Sequence, residues 1–108
     1  MRRSSGTAAA QLVASAPGRY AVRGELTFAT ARQVFTEGRL ALRTAGVGEI
    51  EIDLGAVTHA DSAGLAVLLD WLAAARRAVR RLRYTSLPDG LLAMGRISGV
   101  TELLQQGV

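Results

Sequence analysis

The feature that most constrains the fold is an alternating segment that leads through one short turn into an apolar helix. Residues 49–54 alternate strictly, with Ile50, Ile52 and Leu54 on one side and three acidic residues on the other. This period of two is typical of a strand with one buried face. Residues 62–80 instead place their apolar side chains at helical spacing. A strand followed by such a helix indicates an α/β protein.

Shorter patterns extend this interpretation over the rest of the chain. Three more segments are predicted strands: 11–15, 19–25 and 81–86. Three more are predicted helices: 28–44, 89–96 and 101–106. Residues 1–8 are expected to form a flexible tail ahead of a single domain over residues 9–108. The order predicts an α/β fold with a mixed, four-stranded or slightly larger sheet and three to four helices packed mainly on one face.

The first predicted helix has a less regular pattern than the second. Thr27 is expected to be its N-cap, because a threonine hydroxyl can accept a hydrogen bond from the first turn. The apolar residues that fall near one side are expected to face the core: Phe28, Ala31, Phe35 and Leu42.

Composition excludes several kinds of chemistry. The chain has no cysteine, which excludes disulfides, thiolate metal sites and cysteine nucleophiles. His59 is its one histidine, and lysine is absent, so a P-loop nucleotide site lacks its lysine. We therefore expect no cofactor and no metal. The formal net charge of +4 permits anionic partners without requiring them.

Three acidic residues share one side of the central strand: Glu49, Glu51 and Asp53. Side chains two residues apart on a strand are separated by about 7 Å, and no histidine joins them. Pairing with Arg23 or Arg83 on neighbouring strands is favoured over metal binding.

No segment is long enough to cross a membrane. The longest apolar run, residues 63–69, falls far short of the about 20 residues that a spanning helix needs. The first residues superficially resemble a signal peptide, but residues 7–13 make a poor hydrophobic region. The expected location is the cytoplasm, with membrane association only through a larger complex.

The turn before the second helix carries the strongest functional signal. Asp61 or Ser62 can be the N-cap of that helix. Gly64 lies in the first turn, where glycine costs about 1 kcal/mol in helix propensity, so we expect another group to approach it closely.

At 100° per residue, the second helix has two distinct sides. The core side is predicted to hold Leu65, Leu68, Leu72, Ala75 and Val79. The outward side is predicted to hold Ala63, Ala66, Val67, Asp70, Ala74 and Arg77. Its semi-apolar character suggests a partner-binding surface that begins at Ser62, with Ala63, Val67 and Asp70 at its centre. Alternatively, the alanines are present only as good helix formers. Trp71 falls at the border of the two sides and is expected at the edge of the core.

These residues resemble those of the STAS domain family. The resemblance rests on Asp53-Leu54, Val57 and the run Asp61-Ser62-Ala63-Gly64-Leu65, with Gly24-Glu25-Leu26 and Pro88 in agreement. It implies a non-catalytic protein that binds protein partners. In the anti-sigma-factor antagonists of this family, a partner serine kinase phosphorylates the residue at the position of Ser62.

Ala63 points to a second branch of the same family. The antagonists often carry a hydroxyl residue at this position. The MlaB-type subunit of the lipid-asymmetry ABC transporter is more similar to this chain, which has Asp-Ser-Ala-Gly-Leu-Ala followed by a leucine run and a tryptophan. This resemblance implies docking on the ATPase subunit and a role in phospholipid transport. The alternative is a sigma-pathway antagonist switched at Ser62. The expected partner-binding residues are His59, Asp61, Ser62, Ala63, Gly64, Val67 and Asp70.

Two other functions are less well supported. A hydrolase would use Ser62 as nucleophile, with His59 and Asp61 as its helpers. All three lie on one tight turn, which does not suit the row of nucleophile, base and orienting group that a catalytic triad needs. A nucleic-acid interface would use the arginines between positions 76 and 83, which straddle a helix end and a strand and so diverge. The sequence leaves open whether the isolated chain forms a homodimer.

Overall fold

The computed structural model describes residues 9–44 and 48–108. This part of the chain has four strands: β1 (Ala10–Ala16), β2 (Arg19–Leu26), β3 (Glu49–Ala60) and β4 (Arg81–Thr85). It has four helices: α1 (Ala31–Thr44), α2 (Ser62–Arg77), α3 (Asp89–Ser98) and α4 (Thr101–Gln106). The predicted tail, residues 1–8, lies outside the described residues. None of the helices in the described ranges has the length and apolar content to cross a bilayer.

The strands form one mixed sheet in the order β1-β2-β3-β4. The first two are antiparallel, and the other two pairs are parallel. Parallel neighbours need crossover connections, which α1 and α2 provide, and right-handed crossovers between adjacent strands place both helices on the same face. The predicted α/β fold, with a mixed four-stranded sheet and its helices mainly on one face, is confirmed.

Strand periodicity separates the two faces of the sheet as the sequence predicts. Ile50, Ile52 and Leu54 are buried beneath the helices. The acidic residues alternate onto the opposite face, where Arg83 lies 3.5 Å from a carboxylate oxygen of Glu49 and 3.6 Å from one of Glu51. The predicted pairing with Arg83 is therefore confirmed. No group of three acidic or histidine side chains suited to a metal is found within residues 9–44 and 48–108.

The core depends on close packing of α1 against α2. Trp71 is fully buried, and its indole N–H donates a hydrogen bond to the Phe35 carbonyl at 3.2 Å. A Cβ atom on Gly38 would overlap the indole ring, so only glycine allows the ring to lie against α1. The prediction that placed Trp71 at the core edge is wrong, because α1 covers the side of α2 that the sequence left open.

Two apolar residues assigned to the core are instead exposed. Helix α1 begins at Ala31 rather than at Phe28, and the Phe28 side chain is 83% exposed. The buried residues of α1 are Val34, Gly38 and Leu42. Val79 is 92% exposed, because α2 ends at Arg77 and the chain leaves the helical path. The other four core positions predicted for α2 are buried: Leu65, Leu68, Leu72 and Ala75.

The outer edge of β4 is partly covered by the last described residues. The Leu82 N–H donates to the Val108 carbonyl at 3.2 Å, and the Val108 N–H donates to the Leu82 carbonyl at 3.0 Å. Tyr84, also on β4, is buried and donates its hydroxyl hydrogen to the Leu68 carbonyl at 2.6 Å. Burial raises the pKa of Tyr84 well above its usual value, with a further contribution from Asp70.

Replacing Gly38 tests the contact between α1 and α2. We expect Gly38→Ala to lower the free energy of unfolding by about 1–3 kcal/mol, because the added methyl group must displace a buried indole. Urea denaturation of the full chain measures this change. Gly90→Ala is the matched control, since its Cβ would meet open space and alanine is the better helix former. Equal stability of the two variants would contradict the packing described.

Candidate functional site

The site forms where the carboxyl ends of β2 and β3 lie side by side. Glu25 pairs with His59, and Leu26 pairs with Ala60. Strand β3 continues to Ala60, six residues beyond the predicted end at Leu54, so Asp61 alone separates it from α2. This short connection fixes the first turn of α2 against the segment that follows β2.

The Asp61 carboxylate joins these two segments. One oxygen, Oδ1, accepts hydrogen bonds from the N–H groups of Ala63 at 2.9 Å and Gly64 at 3.1 Å. The other, Oδ2, accepts a hydrogen bond from the Phe28 N–H at 3.0 Å. Of the two N-caps that the sequence allowed, Asp61 is confirmed. The sequence gives no sign of its second role, which is to hold the segment between β2 and α1.

These hydrogen bonds favour the ionised form of Asp61. The Phe28 N–H makes the largest contribution to lowering the pKa of Asp61 below its usual value. Burial opposes this shift, while the Gly64 and Ala63 N–H groups and the nearby His59 add to it. A fixed negative charge therefore lies directly beside Ser62 near neutral pH.

Gly64 allows the helix to approach β2. A Cβ atom at this position would overlap the carbonyl oxygen of Leu26, the last residue of β2. The same carbonyl accepts a hydrogen bond from the Asp61 N–H at 3.3 Å. The predicted close approach at Gly64 is confirmed, and its cause is the strand end rather than a ligand.

Ser62 is exposed at the start of α2. Within the described ranges its hydroxyl makes no hydrogen bond, and the neighbouring Asp61 oxygens are occupied by backbone N–H groups. His59 is also exposed and Ala63 is half-buried. These residues are accessible to a protein that binds the turn from outside.

Phe28 is a residue of this site that the sequence analysis missed. It was assigned to the core, but its ring projects into solvent while its N–H is bound to Asp61. Thr30, not Thr27, precedes the first helical turn: its carbonyl accepts from the Val34 N–H, and its hydroxyl accepts from the Thr27 N–H. A detectable signal was the sequence Thr30-Ala31-Arg32-Gln33, which has the spacing of a capping box.

The predicted outward side of α2 is wrong at Val67 and Ala74, which are buried, whereas Asp70 stays partly exposed. Val67 is only 6% exposed, because it packs in the core cluster. Asp70 is half-buried and lies 3.2 Å from the Arg39 guanidinium of α1. Ala74 from the same predicted side is also buried. The exposed line that actually leads from Ser62 along α2 passes through Ala66 and Ala73.

We define the Ser62 surface as Phe28, His59, Ser62, Ala63 and Ala66. It combines one large aromatic ring, small side chains and the Ser62 hydroxyl, which makes no hydrogen bond to any described residue. The Asp61 carboxylate accepts three backbone N–H groups, and among the described residues no hydrogen bond joins it to His59 or His59 to Ser62, as a triad requires. The arrangement suits recognition by another protein better than bond cleavage.

Comparison with known proteins identifies the family. The sequence matches the family described as “Mlab, STAS domain” over residues 9–105, which is most of the chain. The chain therefore belongs to the STAS domain family, and within it to the MlaB-like group. No curated protein is similar enough to this sequence to count as a match.

A solved structure has the same fold. The anti-sigma-factor antagonist SpoIIAA in its unphosphorylated form is similar with a TM-score of 0.67 and 18% sequence identity, covering 87% of this chain and 84% of that one. At this identity the likeness concerns the arrangement of strands and helices.

The Asp61 bridge gives a pH-dependent prediction. Because folding lowers the pKa of Asp61, its ionised form stabilises the fold above the unfolded pKa of about 3.9, and this contribution is lost as pH falls through the lower folded value. We expect Asp61→Asn to be less stable than wild type at pH 7, and the gap to close in acid. Thermal denaturation between pH 7 and about pH 3 measures it.

Asp89→Asn is the control, since Asp89 is an exposed carboxylate in the first turn of α3. The loss of thermal stability at pH 7 is expected to be smaller for Asp89→Asn than for Asp61→Asn. A gap between wild type and Asp61→Asn that widened in acid would contradict the bridge.

Proposed function

We propose that this chain is a non-catalytic docking subunit that binds, through the Ser62 surface, the ATPase subunit of a phospholipid-transporting ABC transporter. Membership of the MlaB-like STAS family and the alanine at position 63 support this assignment. The observation that carries it is the exposed Ser62 hydroxyl next to Asp61, whose carboxylate also holds the segment that bears the exposed Phe28 ring. The proposed domain covers residues 9–108, and the proposed location is the cytoplasmic side of the membrane, reached through the transporter.

The rigidity of the Ser62 surface supports a docking role. The segment carrying Phe28 is bound to Asp61, and Thr30 donates a hydrogen bond to the Glu25 carbonyl at 2.6 Å. A pre-ordered surface loses less conformational freedom when it binds, so more of the contact energy is available for affinity. Aromatic residues, Phe among them, are enriched at protein–protein interfaces, where a ring can fill a pocket on the partner.

A second candidate, the sigma-pathway antagonist, is favoured by the accessibility of Ser62. A kinase could reach its hydroxyl, and a phosphate there would add about −1.5 to −2 charges beside ionised Asp61. The Ala63 and Gly64 N–H groups already donate to Asp61, so they are not free to bind the phosphate. Phosphorylation would therefore repel an acidic partner surface, which is the property of a switch.

Substitution of Ser62 tests the docking site. We expect Ser62→Asp to weaken partner binding at least about tenfold, because it places a second carboxylate beside Asp61 at the interface. Ser62→Ala removes only the hydroxyl and is expected to have a smaller effect. Affinity capture from native lysate, followed by mass spectrometry, measures retention of an ABC ATPase and its permease.

The same capture separates the two candidates. An ATPase retained by wild type and lost with Ser62→Asp supports the transporter subunit. A serine kinase, or phosphate on Ser62, supports the antagonist instead. Equal retention by wild type and both variants would exclude docking at Ser62.

Substitution of Phe28 tests the aromatic anchor. Phe28→Ala is expected to weaken binding to the captured partner at least about tenfold without loss of stability, since the ring is exposed and only its backbone holds the loop. Ile97→Ala is the matched control, because Ile97 is 88% exposed on α3. Calorimetric titration distinguishes the two variants. A similar loss for both would remove Phe28 from the interface.

A further inference from the structure

The arginine-rich stretch from position 76 to 83 is divided among separate surfaces. Arg83 belongs to the open face of the sheet, where it pairs with Glu49 and Glu51. Arg77 and Arg80 instead face a groove between the carboxyl-terminal ends of α1 and α2. The stretch therefore does not form the single patch that a nucleic-acid interface would need.

The groove between α1 and α2 has a volume of about 630 Å³. Two arginines from α1, Arg39 and Arg43, face it together with Arg77 and Arg80. Its apolar lining consists of Leu42, Ala74 and Ala78. It lies at the opposite end of α2 from Ser62, and its lining begins at Ala74, about 18 Å along the helix axis at about 1.5 Å per residue, so it is separate from the docking surface.

Two of the four arginines are held in place by other groups. Arg39 lies 3.2 Å from an oxygen of Asp70. Arg80 donates a hydrogen bond to the Leu42 carbonyl at 3.0 Å, near the end of α1. Across residues 9–44 and 48–108, the guanidinium groups of Arg43 and Arg77 have no ion pair or hydrogen bond, and both are exposed.

The helix dipoles offset only part of the positive charge of Arg43 and Arg77. Arg43 and Arg77 lie in the last turns of α1 and α2, where each helix end carries about half a negative charge. The two helix ends together offset about one of the two positive charges that Arg43 and Arg77 carry. Arg43 and Arg77 therefore keep an excess of about one positive charge, while Arg39 and Arg80 have partners of their own.

We infer that this groove binds a phosphate monoester dianion. Such a group carries about −1.5 to −2 charges and three acceptor oxygens at neutral pH, enough to bind the Arg43 and Arg77 guanidinium groups together, whereas a single carboxylate has one charge and two oxygens. Guanidinium groups donate two parallel hydrogen bonds to phosphate oxygens, and Arg43 and Arg77 can do so from opposite walls. The apolar lining offers contact for the organic part of the ester.

Binding of phenyl phosphate to the full chain tests the inference, with benzoate as the singly charged comparison. Phenyl phosphate is expected to shift the NMR signals of the Arg43 and Arg77 side chains saturably, and to bind more tightly than benzoate. The double variant Arg43→Gln/Arg77→Gln is expected to lose at least about tenfold in affinity, because two charge-assisted hydrogen-bond donors are removed.

The matched control is Arg32→Gln/Arg96→Gln, which removes the same charge from exposed positions on α1 and α3. An affinity within about twofold of wild type is expected for this control. Equal loss in both double variants, or equal binding of phenyl phosphate and benzoate, would mean that only net charge matters and would overturn the inference. So would the absence of saturable binding.

Vesicles distinguish the two sources of such a phosphate. Co-sedimentation with vesicles of phosphatidic acid in phosphatidylcholine, lost in Arg43→Gln/Arg77→Gln but kept in the control, supports a lipid headgroup. Binding of phenyl phosphate without co-sedimentation supports a soluble phosphate ester. Failure of both probes excludes the site, whatever the result of partner capture at Ser62.

Discussion

The bridge formed by the Asp61 carboxylate is the interaction on which the candidate site depends. One side chain satisfies two N–H groups at the start of α2 and a third N–H on the segment after β2. The same carboxylate therefore caps α2 and holds the segment after β2 in place. Because Gly64 lets the helix lie directly against the end of β2, the bridge spans a short distance and needs no water. The positions of the exposed residues around Ser62 therefore depend on this one carboxylate.

Close packing of α1 on α2 determines which residues of α2 remain exposed. Gly38 allows the Trp71 ring to be buried between the helices, and the approach also buries Val67 and pairs Asp70 with Arg39. Two of the six residues that the sequence places on the outward side, Val67 and Ala74, are thereby buried. The same approach brings the arginines of both helices together at their far ends, where the groove forms.

Periodicity in the sequence predicted most of the fold but not the neighbours of each helix. The alternation of Ile50, Ile52 and Leu54 and the cap at Asp61 are local patterns, so they could be found without tertiary information. Whether Val67 faces water or another helix depends on where α1 lies, and a helical projection carries no such information. Phe28 was assigned to the core because hydrophobicity suggested burial, although the capping-box spacing at Thr30 indicated a later helix start.

The hydrogen bonds between Val108 and Leu82 make the two edges of the sheet unequal. An unpaired edge strand is a template for pairing with another chain, and natural proteins commonly cover such edges. Here the main chain of the last described residues occupies that position on β4, whereas β1 forms the opposite edge. A second polypeptide that extended this sheet at β4 would have to displace main chain at Val108, whereas at β1 it would have to displace the Glu37 side chain of α1, which accepts a hydrogen bond from the Leu12 N–H at 2.9 Å.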